Sequence, residues 1–327
     1  MKPRVIVTQR IHREIEELLS PHAELVLNNS LAAWPRAELL RLSHDADALM
    51  VFMPDSLDDD FLAACPRLRI IAAALKGFDN FDVEACTRRG IWFSIVPDLL
   101  PEPTAELALA LILSLARHVL PGDRLIRSGA FEGWRPVLYG TGLAGSTVGL
   151  IGFGKVAQAL TRMLQGFRCR MLYYEAAATA STPHATSSSL EDLLSASDFV
   201  LPLLPLTPNT FHLFHRETLA RMKPGAFLIN VSRGSTVDEE AVADAIESGA
   251  LAGYAADTFE MEDWARHDRP RSVSPRLLAL PERTLFTPHL GSAVAQVRLE
   301  IERAAAGNIL QVLRGERPSG AINQPNS

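Results

Sequence analysis

A short glycine-containing segment, Gly152-Phe153-Gly154-Lys155-Val156-Ala157, connects an apolar run to an amphipathic one. The apolar run, Thr147–Ile151, has the length of a buried strand, and the residues after Ala157 follow helical periodicity. In a strand–turn–helix unit of this G-x-G-x-x-A form, Gly152 permits the tight turn, Gly154 lets backbone N–H groups approach a diphosphate, and Ala157 allows close packing. The diphosphate would bind at the helix N-terminus, where the helix dipole favours an anion. The segment therefore predicts a dinucleotide-binding α/β fold.

An acidic residue follows the glycine segment at the distance that such folds use. Glu175 lies about 20 residues after Gly154, at the end of the apolar run 169–173. A carboxylate there accepts hydrogen bonds from the adenosine ribose hydroxyls and repels a 2′-phosphate. The next residues, 176–178, are alanines and offer no Arg or Lys for that phosphate. We therefore predict NAD, and not NADP, as the cofactor.

Short apolar runs alternate with helical patterns along the whole chain, which is typical of βαβ units and parallel sheets. Pro97, Pro101 and Pro103 separate two such series, and 327 residues suffice for two domains. We predict an α/β protein of two Rossmann-like or flavodoxin-like parallel-sheet domains with a cleft between them. The substrate-binding domain would comprise residues 1–98 and 291–327, and the NAD-binding domain residues 99–290. The predicted strands are 5–8, 48–52, 69–74 and 91–95 in the first series and 147–151, 169–173, 199–203, 226–230, 253–256 and 284–286 in the second.

Two long helices flank the second series. Thr104 is the predicted N-cap of a helix that extends to Leu120, and the last helix, 293–313, is predicted to return to the first domain. Residues 176–187 are rich in Ala, Thr and Ser and predict a loop.

Composition argues against several classes of protein. Lys and Arg total 32 and Asp and Glu 38, a net charge of −6, so no basic surplus is present for binding a nucleic acid. The three cysteines form no C-x-x-C pair, so we predict no disulfide framework and no metal site. Unpaired thiols favour a reducing compartment, and we expect a cytoplasmic protein. The longest apolar run, 107–116, is shorter than the roughly 20 residues of a membrane span, and we expect no membrane association.

Charged side chains follow three predicted strands of the second series. They are Arg233, His289 and two carboxylates, Glu260 and Glu262. Ligands bind at the carboxyl ends of parallel strands, so these groups are expected at one edge of the sheet. An arginine can hold an anion through two hydrogen bonds, a histidine can act as a general base, and a carboxylate can orient the imidazole. The set suits hydride transfer from an anionic substrate, and the residues alone leave the choice between the two glutamates open.

These segments resemble the signatures of the D-2-hydroxyacid dehydrogenase family over essentially the whole chain. Within that family the resemblance is greatest to phosphonate (phosphite) dehydrogenases, which oxidise phosphite to phosphate with NAD. The segments that carry it are 52–55, 75–82, 133–142, 260–266, 291–294 and 297–302. One departure is Val231-Ser232, where Pro or Ala and then Cys are common in the family.

The resemblance implies roles for individual residues. Arg233, Glu262 and His289 would form the catalytic trio, and Asp257 would hydrogen-bond the nicotinamide carboxamide. A homodimer is implied, with contacts through the helix 104–120 and the arm that includes Tyr139. The implied substrate-binding residues are Met53, Lys76, Gly77, Trp134, Tyr139, Arg233, His289, Ser292 and Arg298. The cofactor-binding residues, from the glycine segment and the resemblance together, are Lys76, Thr104, Gly152, Gly154, Lys155, Val156, Glu175, Leu203, Leu204, Pro205, Val231, Ser232, Arg233, Asp257, His289, Gly291 and Ser292.

Lys76 adds a cation to the turn Leu75-Lys76-Gly77, where the family tends to have a glycine-rich turn whose backbone N–H groups bind a carboxylate. Arg298 adds a second cation. Phosphite is substantially dianionic at neutral pH, and extra positive charge in a desolvated site suits a dianion. We therefore predict NAD-dependent oxidation of phosphite to phosphate.

Two alternatives stay open. One is an NAD-dependent D-2-hydroxyacid dehydrogenase, such as a glyoxylate or hydroxypyruvate reductase, which shares the fold, the trio and the cofactor. The other is an NAD-responsive binding protein with vestigial catalysis. The intact trio of Arg233, Glu262 and His289 argues against the second alternative.

Overall fold

The computed structural model describes residues 2–96, 98–176 and 182–325. The chain divides into two compact units. The first unit comprises Met1–Leu100, Trp264–His267 and Ala293–Ser327, and the second comprises Pro101–Asp263 and Asp268–Ser292. These junctions lie within two residues of the boundaries predicted at 98/99 and 290/291. The segment Trp264–His267 was predicted to belong to the NAD-binding domain, but the structure assigns it to the first unit.

Strands and helices alternate along the described residues. In chain order they are β1 (Arg4–Val7), α1 (Arg13–Leu19), β2 (Glu24–Leu27), α2 (Arg36–Ser43), β3 (Ala48–Val51), α3 (Asp59–Ala63), β4 (Ile70–Ala73), α4 (Val83–Arg88), β5 (Trp92–Ser94), α5 (Pro101–Ala116), α6 (Val119–Arg127), β6 (Thr147–Ile151), α7 (Lys155–Leu164), β7 (Arg170–Tyr174), β8 (Thr186–Ser187), α8 (Leu190–Ala196), β9 (Phe199–Pro202), α9 (Arg216–Ala220), β10 (Ala226–Asn230), α10 (Glu239–Glu247), β11 (Leu251–Ala256), α11 (Pro275–Leu278), β12 (Thr284–Phe286) and α12 (Ala295–Leu313).

The first unit is built on a parallel sheet with the strand order β2-β1-β3-β4-β5. Its central strands β3 and β4 are buried along their whole length, as expected for a parallel sheet with both faces covered. One of the covering elements is α12, whose Ile301, Ala305 and Ile309 are fully buried in the same cluster as Val5 and Val7. The predicted return of the last helix to the first domain is thus confirmed.

The second unit is built on a parallel sheet with the strand order β12-β11-β10-β9-β6-β7-β8. The chain enters this sheet at β6, proceeds to β7 and β8 on one side, and then continues from β9 to β12 on the other side. The direction of winding therefore reverses between β6 and β9, and ligands of such sheets bind beside this switch point. The predicted fold class, two parallel-sheet α/β domains, is confirmed.

The helix predicted to begin at Thr104 has different bounds. Helix α5 begins at Pro101, so that Pro101 and Pro103 lie in its first turn, where a helix needs no N–H donors. It ends at Ala116, and His118 adopts a left-handed backbone with φ of 51° before α6. Among the described residues, no single helix is long and apolar enough to cross a membrane, and α5 and α6 meet that criterion only as a pair bent by 63°.

Candidate active site

The glycine turn between β6 and α7 has the geometry of a phosphate-binding turn. Gly152 has a φ of 93°, and a Cβ at this position would lie 2.6 Å from the carbonyl oxygen of Leu203, so a side chain is excluded there. Gly154 is the N-cap of α7, and no atom lies within 4 Å of the place that its Cβ would occupy. Ala157 is fully buried against the sheet. The N-terminus of α7 is therefore open to an anion, as a dinucleotide diphosphate requires.

Glu175 lies directly beside this turn. It follows β7, and its Oε2 accepts a hydrogen bond of 2.8 Å from the backbone N–H of Phe153. The carboxylate is thus held at the switch point, at the place where the adenosine ribose of a bound dinucleotide is recognised. Leu203 and Leu204, which follow β9, contact Gly152 from the other side of the switch point. These residues fit NAD.

The loop that carries Arg233 is shaped by Asn230 at the end of β10. The Oδ1 atom of Asn230 accepts hydrogen bonds from the N–H of Ser232 at 3.0 Å and from its Oγ at 2.9 Å, and Nδ2 donates to the carbonyl of Arg233 at 2.9 Å. The half-buried guanidinium donates from Nη1 to the carbonyl of Ser232 at 2.9 Å. Sequence reasoning gave Asn230 no role, although an Asn followed two residues later by a bonded Ser is typical of an Asx turn.

The structure places Glu262, and not Glu260, against His289, the predicted general base. The Nδ1 of His289 lies 2.6 Å from Oε2 of Glu262, which is a short hydrogen bond, as expected when one partner is charged. A carboxylate on Nδ1 fixes the tautomer in which Nε2 is free to accept a proton. Glu260 instead lies 2.8 Å from the Nε2 of His212. The choice of Glu262 that the family resemblance implied agrees with this geometry.

Asp257 holds the loop that contains His289 in place through hydrogen bonds. Its Oδ1 accepts hydrogen bonds from the hydroxyl of Thr287 and the N–H of Leu290, both at 2.6 Å, and its Oδ2 accepts one from the N–H of Gly291 at 2.8 Å. His289 itself has a left-handed backbone with φ of 54°. Burial raises the pKa of the Asp257 carboxyl, and these donors oppose that shift. Asp257 therefore has a positioning role that the sequence did not indicate, beside its predicted contact with nicotinamide.

Two predicted substrate-binding residues of the first unit, Met53 and Lys76, follow adjacent parallel strands of its sheet. Phe52 and Met53 follow β3, and Lys76 follows the adjacent strand β4. The guanidinium carbon of Arg298 lies 5.8 Å from the centre of the Phe52 ring, within the range of a cation–π contact. Burial lowers the pKa of Arg298, while the charge of Glu302 opposes this shift. Two cations, Lys76 after β4 and Arg298 on α12, thus lie toward the carboxyl ends of these strands, and Glu302 lies close enough to Arg298 to act on its charge.

Trp134 and Tyr139 lie in the irregular segment 128–146 and are 82 and 74% exposed. Their predicted contact with substrate stays a prediction, as does that of Ser292, which is half-buried.

The comparisons with known proteins agree with the geometry of the second unit. Residues 109–291 match the family model described as the D-isomer specific 2-hydroxyacid dehydrogenase NAD binding domain. The chain belongs to the D-2-hydroxyacid dehydrogenase family. It is therefore an oxidoreductase that uses NAD, and the predicted cofactor and the predicted family are confirmed.

Relatives within the D-2-hydroxyacid dehydrogenases span the whole chain. The glyoxylate reductase of Pyrococcus furiosus is 36% identical over 332 aligned positions, which cover 99% of this chain and 96% of that protein. The TT0316 protein of Thermus thermophilus has a TM-score of 0.90 at 35% identity and covers 98% of this chain and 99% of its own. The NADPH-dependent glyoxylate/hydroxypyruvate reductase of Sinorhizobium meliloti, solved with NADP and malonate, has a TM-score of 0.86 at 27% identity. The match covers 98% of this chain and 97% of that protein. These relatives support the family and the D-2-hydroxyacid alternative, and they do not support the finer resemblance to phosphonate dehydrogenases.

Proposed function

We propose that this D-2-hydroxyacid dehydrogenase oxidises phosphite to phosphate with NAD. The observation that carries the proposal is the pair of cations, Lys76 and Arg298, toward the carboxyl ends of β3 and β4 in the first unit. A hydroxy acid presents one carboxylate, whereas phosphite presents close to two negative charges, and electrostatic attraction grows with that charge. The segments 75–82, 133–142 and 260–266 also resemble phosphonate dehydrogenases.

The proposed mechanism assigns the acid–base chemistry to the second unit. Arg233 binds oxygens of the anion. His289 accepts, at Nε2, the proton of the water whose oxygen adds to phosphorus, and Glu262 stabilises the resulting imidazolium through Nδ1. Bound NAD supplies the acceptor for the hydride that leaves the P–H bond. Phosphite, water and NAD⁺ thus yield phosphate, NADH and a proton.

Reduction of glyoxylate is the second candidate, and the identity of the relatives favours it. The Pyrococcus furiosus protein that aligns with 99% of this chain is a glyoxylate reductase. Arg233 would then bind the carboxylate of glyoxylate. His289, supported by Glu262, would protonate the carbonyl oxygen as hydride arrives at carbon. A single cation would suffice for this monoanion.

The test is an assay of purified protein with NAD and phosphite, beside D-lactate, D-glycerate and glycolate, and with NADH and glyoxylate. We expect NADH formation with phosphite, at least tenfold faster than with any hydroxy acid. Lys76→Met should lower kcat/KM for phosphite by about 100-fold, the order expected for loss of a charge contact in a desolvated site. Lys223→Met is the control, because Lys223 is a surface lysine paired with Asp198. Turnover of glyoxylate alone would replace the proposal with the second candidate, and NAD binding without any turnover would favour a binding protein.

We also propose that the protein is a homodimer. Eight large apolar side chains are exposed along α6 and the segment after it, and clusters of such side chains are typical of protein–protein interfaces. They are Val119, Leu120, Ile126, Phe131, Trp134, Val137, Leu138 and Tyr139. Light scattering on the purified protein should give a mass twice that of one chain, which is 35.7 kDa. Substitution of Ile126 and Phe131 by Ser should shift the mass to that of one chain, and a monomeric parent protein would exclude the proposal.

A further inference from the structure

Three buried carboxylates lie in or against the turn that contains Glu262, and the mechanism above uses none of them. Glu260 and Glu262 begin and end one short 3₁₀ turn, Asp263 follows it, and Glu239 begins α10. Glu239, Glu260 and Asp263 are 4, 8 and 3% exposed. Burial of a carboxylate destabilises the folded protein unless hydrogen bonds compensate for the lost hydration, so the hydrogen-bond partners of these three groups indicate their role.

Glu239 and Glu260 cap each other reciprocally. Oε1 of Glu260 accepts a hydrogen bond of 3.1 Å from the N–H of Glu239, and Oε1 of Glu239 accepts one of 3.0 Å from the N–H of Glu260. The second oxygen of each is also engaged, that of Glu260 by Nε2 of His212 at 2.8 Å and that of Glu239 by the N–H of Ser274 at 2.8 Å. The start of the Glu260–Glu262 turn is thereby fixed to α10.

The same turn is fixed to the loop of Arg233. Oδ2 of Asp263 accepts a hydrogen bond of 3.0 Å from the N–H of Ser235. A Cβ on Gly234 would overlap the backbone carbonyl of Phe259, so the two backbones are in direct contact. The residues on both sides of Glu262 therefore hold its backbone, and both also bind the segment that follows Arg233.

We propose that Glu260 is a positioning residue, which holds the turn of Glu262 so that the carboxylate meets Nδ1 of His289. Among the described residues, the Glu262 carboxylate is held from within its own turn: its other oxygen accepts a hydrogen bond of 2.9 Å from the N–H of Phe259. A shift of the turn therefore carries the Glu262 carboxylate away from His289. A displacement of about 1 Å can lower a rate by about 100-fold.

Variants of Glu260 separate positioning from a general structural effect. Glu260→Ala removes both hydrogen bonds, and Glu260→Asp keeps the charge but is too short by one methylene group to make both. Glu260→Gln keeps an acceptor for the N–H of Glu239 and a donor for a neutral His212. We expect kcat to fall at least tenfold in the Ala and Asp variants with KM for NAD within twofold of the parent, and to recover to within threefold in the Gln variant. Glu240→Ala is the control, because Glu240 lies next to Glu239 on α10, but its side chain accepts from the Ser274 hydroxyl and from Arg276 and makes no bond to the Glu260–Glu262 turn in the described residues, so kcat should stay within twofold.

A second measurement needs no substrate, since this inference rests on the proposed role of His289. In protein labelled with ¹⁵N-histidine, the proton between Nδ1 of His289 and Glu262 should resonate far downfield, and His289→Asn assigns it by its loss. We expect the resonance in the parent, Glu260→Gln and Glu240→Ala proteins, and its loss in Glu260→Asp. A resonance unchanged in a folded Asp variant would overturn the positioning role, as would a Gln variant damaged as severely as the Asp variant. Because the signal is read without turnover, an enzyme inactive on every substrate tried would count against the proposed function and not against the role of Glu260.

Discussion

Asp55 should make this protein less stable as the pH rises. A carboxylate whose pKa is lowered on folding has the opposite effect. Asp55 follows β3 and is 4% exposed, with Oδ2 accepting hydrogen bonds from the N–H of Phe52 at 2.8 Å and from the hydroxyl of Thr8. Burial raises its pKa from 3.8 to about 6, although both hydrogen bonds oppose the shift. The folded protein therefore holds a proton on Asp55 more tightly than the unfolded chain does.

The magnitude follows from the linkage between protonation and folding. A shift of about two pKa units corresponds to about 3 kcal/mol of unfolding free energy over the whole pH window. This contribution is fully present below pH 4, near the pKa of the unfolded chain, and is lost as the pH rises through about 6. Between pH 4.5 and 7.5, where the protein can be handled, the loss is about 2 kcal/mol.

The assay is urea unfolding of the parent and of Asp55→Asn at several values of pH between 4.5 and 7.5. The asparagine oxygen can still accept from Phe52 and Thr8, and all other titrating groups cancel in the difference. We expect the parent to lose about 2 kcal/mol relative to the variant over this range. Asp58→Asn is the matched control, because the pKa of Asp58 is lowered from 3.8 by hydrogen bonds from Phe61 and Arg36, so its difference from the parent should stay nearly constant over this pH range. Asn caps a helix equally well. A difference that stays flat with pH would refute the reasoning for Asp55.

Two further predictions concern the second unit. Gly234→Ala should lower the unfolding free energy by about 3 kcal/mol or more, because the added Cβ would overlap the backbone of Phe259. In the same urea experiment Gly122→Ala in α6 should be neutral or stabilising, because its Cβ would meet no atom within 4 Å. Glu175→Ala should raise the Kd for NAD by about tenfold and lessen the discrimination against NADP, as measured by calorimetry without substrate; an unchanged ratio of the two Kd values would show that the carboxylate does not select the cofactor.

Local patterns predicted most of the second unit because each element there carries its own signal. The turn at Gly152, the acidic residue at Glu175 and the charged residues after β10 and β12 all depend on short segments with a known backbone geometry. The choice between Glu260 and Glu262 could not be made this way. Both carboxylates belong to the same short turn. Their different partners, Glu239 and His289, are distant from that turn in the sequence.

Elements with weak local signals were missed or misplaced. Strand β2, Glu24–Leu27, is an edge strand without a fully buried residue, so its residues lack the continuous apolar run of a central strand. Strand β8, Thr186–Ser187, is two exposed residues inside a segment predicted to be a loop, of which residues 177–181 lie outside the described part of the chain. Pro101 and Pro103 suggested a break in the chain, but the first turn of a helix accepts proline, and α5 begins there.

The left-handed backbone of His289 restricts which residue can replace it. Few residue types other than glycine adopt a positive φ readily, and Asn, Asp and His are the most tolerant among them. A lysine or a tyrosine, each a possible base elsewhere, would have to distort the loop that Asp257 fastens. The main-chain conformation thus restricts which residue types can occupy the position of the proposed base. Asparagine is the replacement that removes the imidazole while leaving the loop intact.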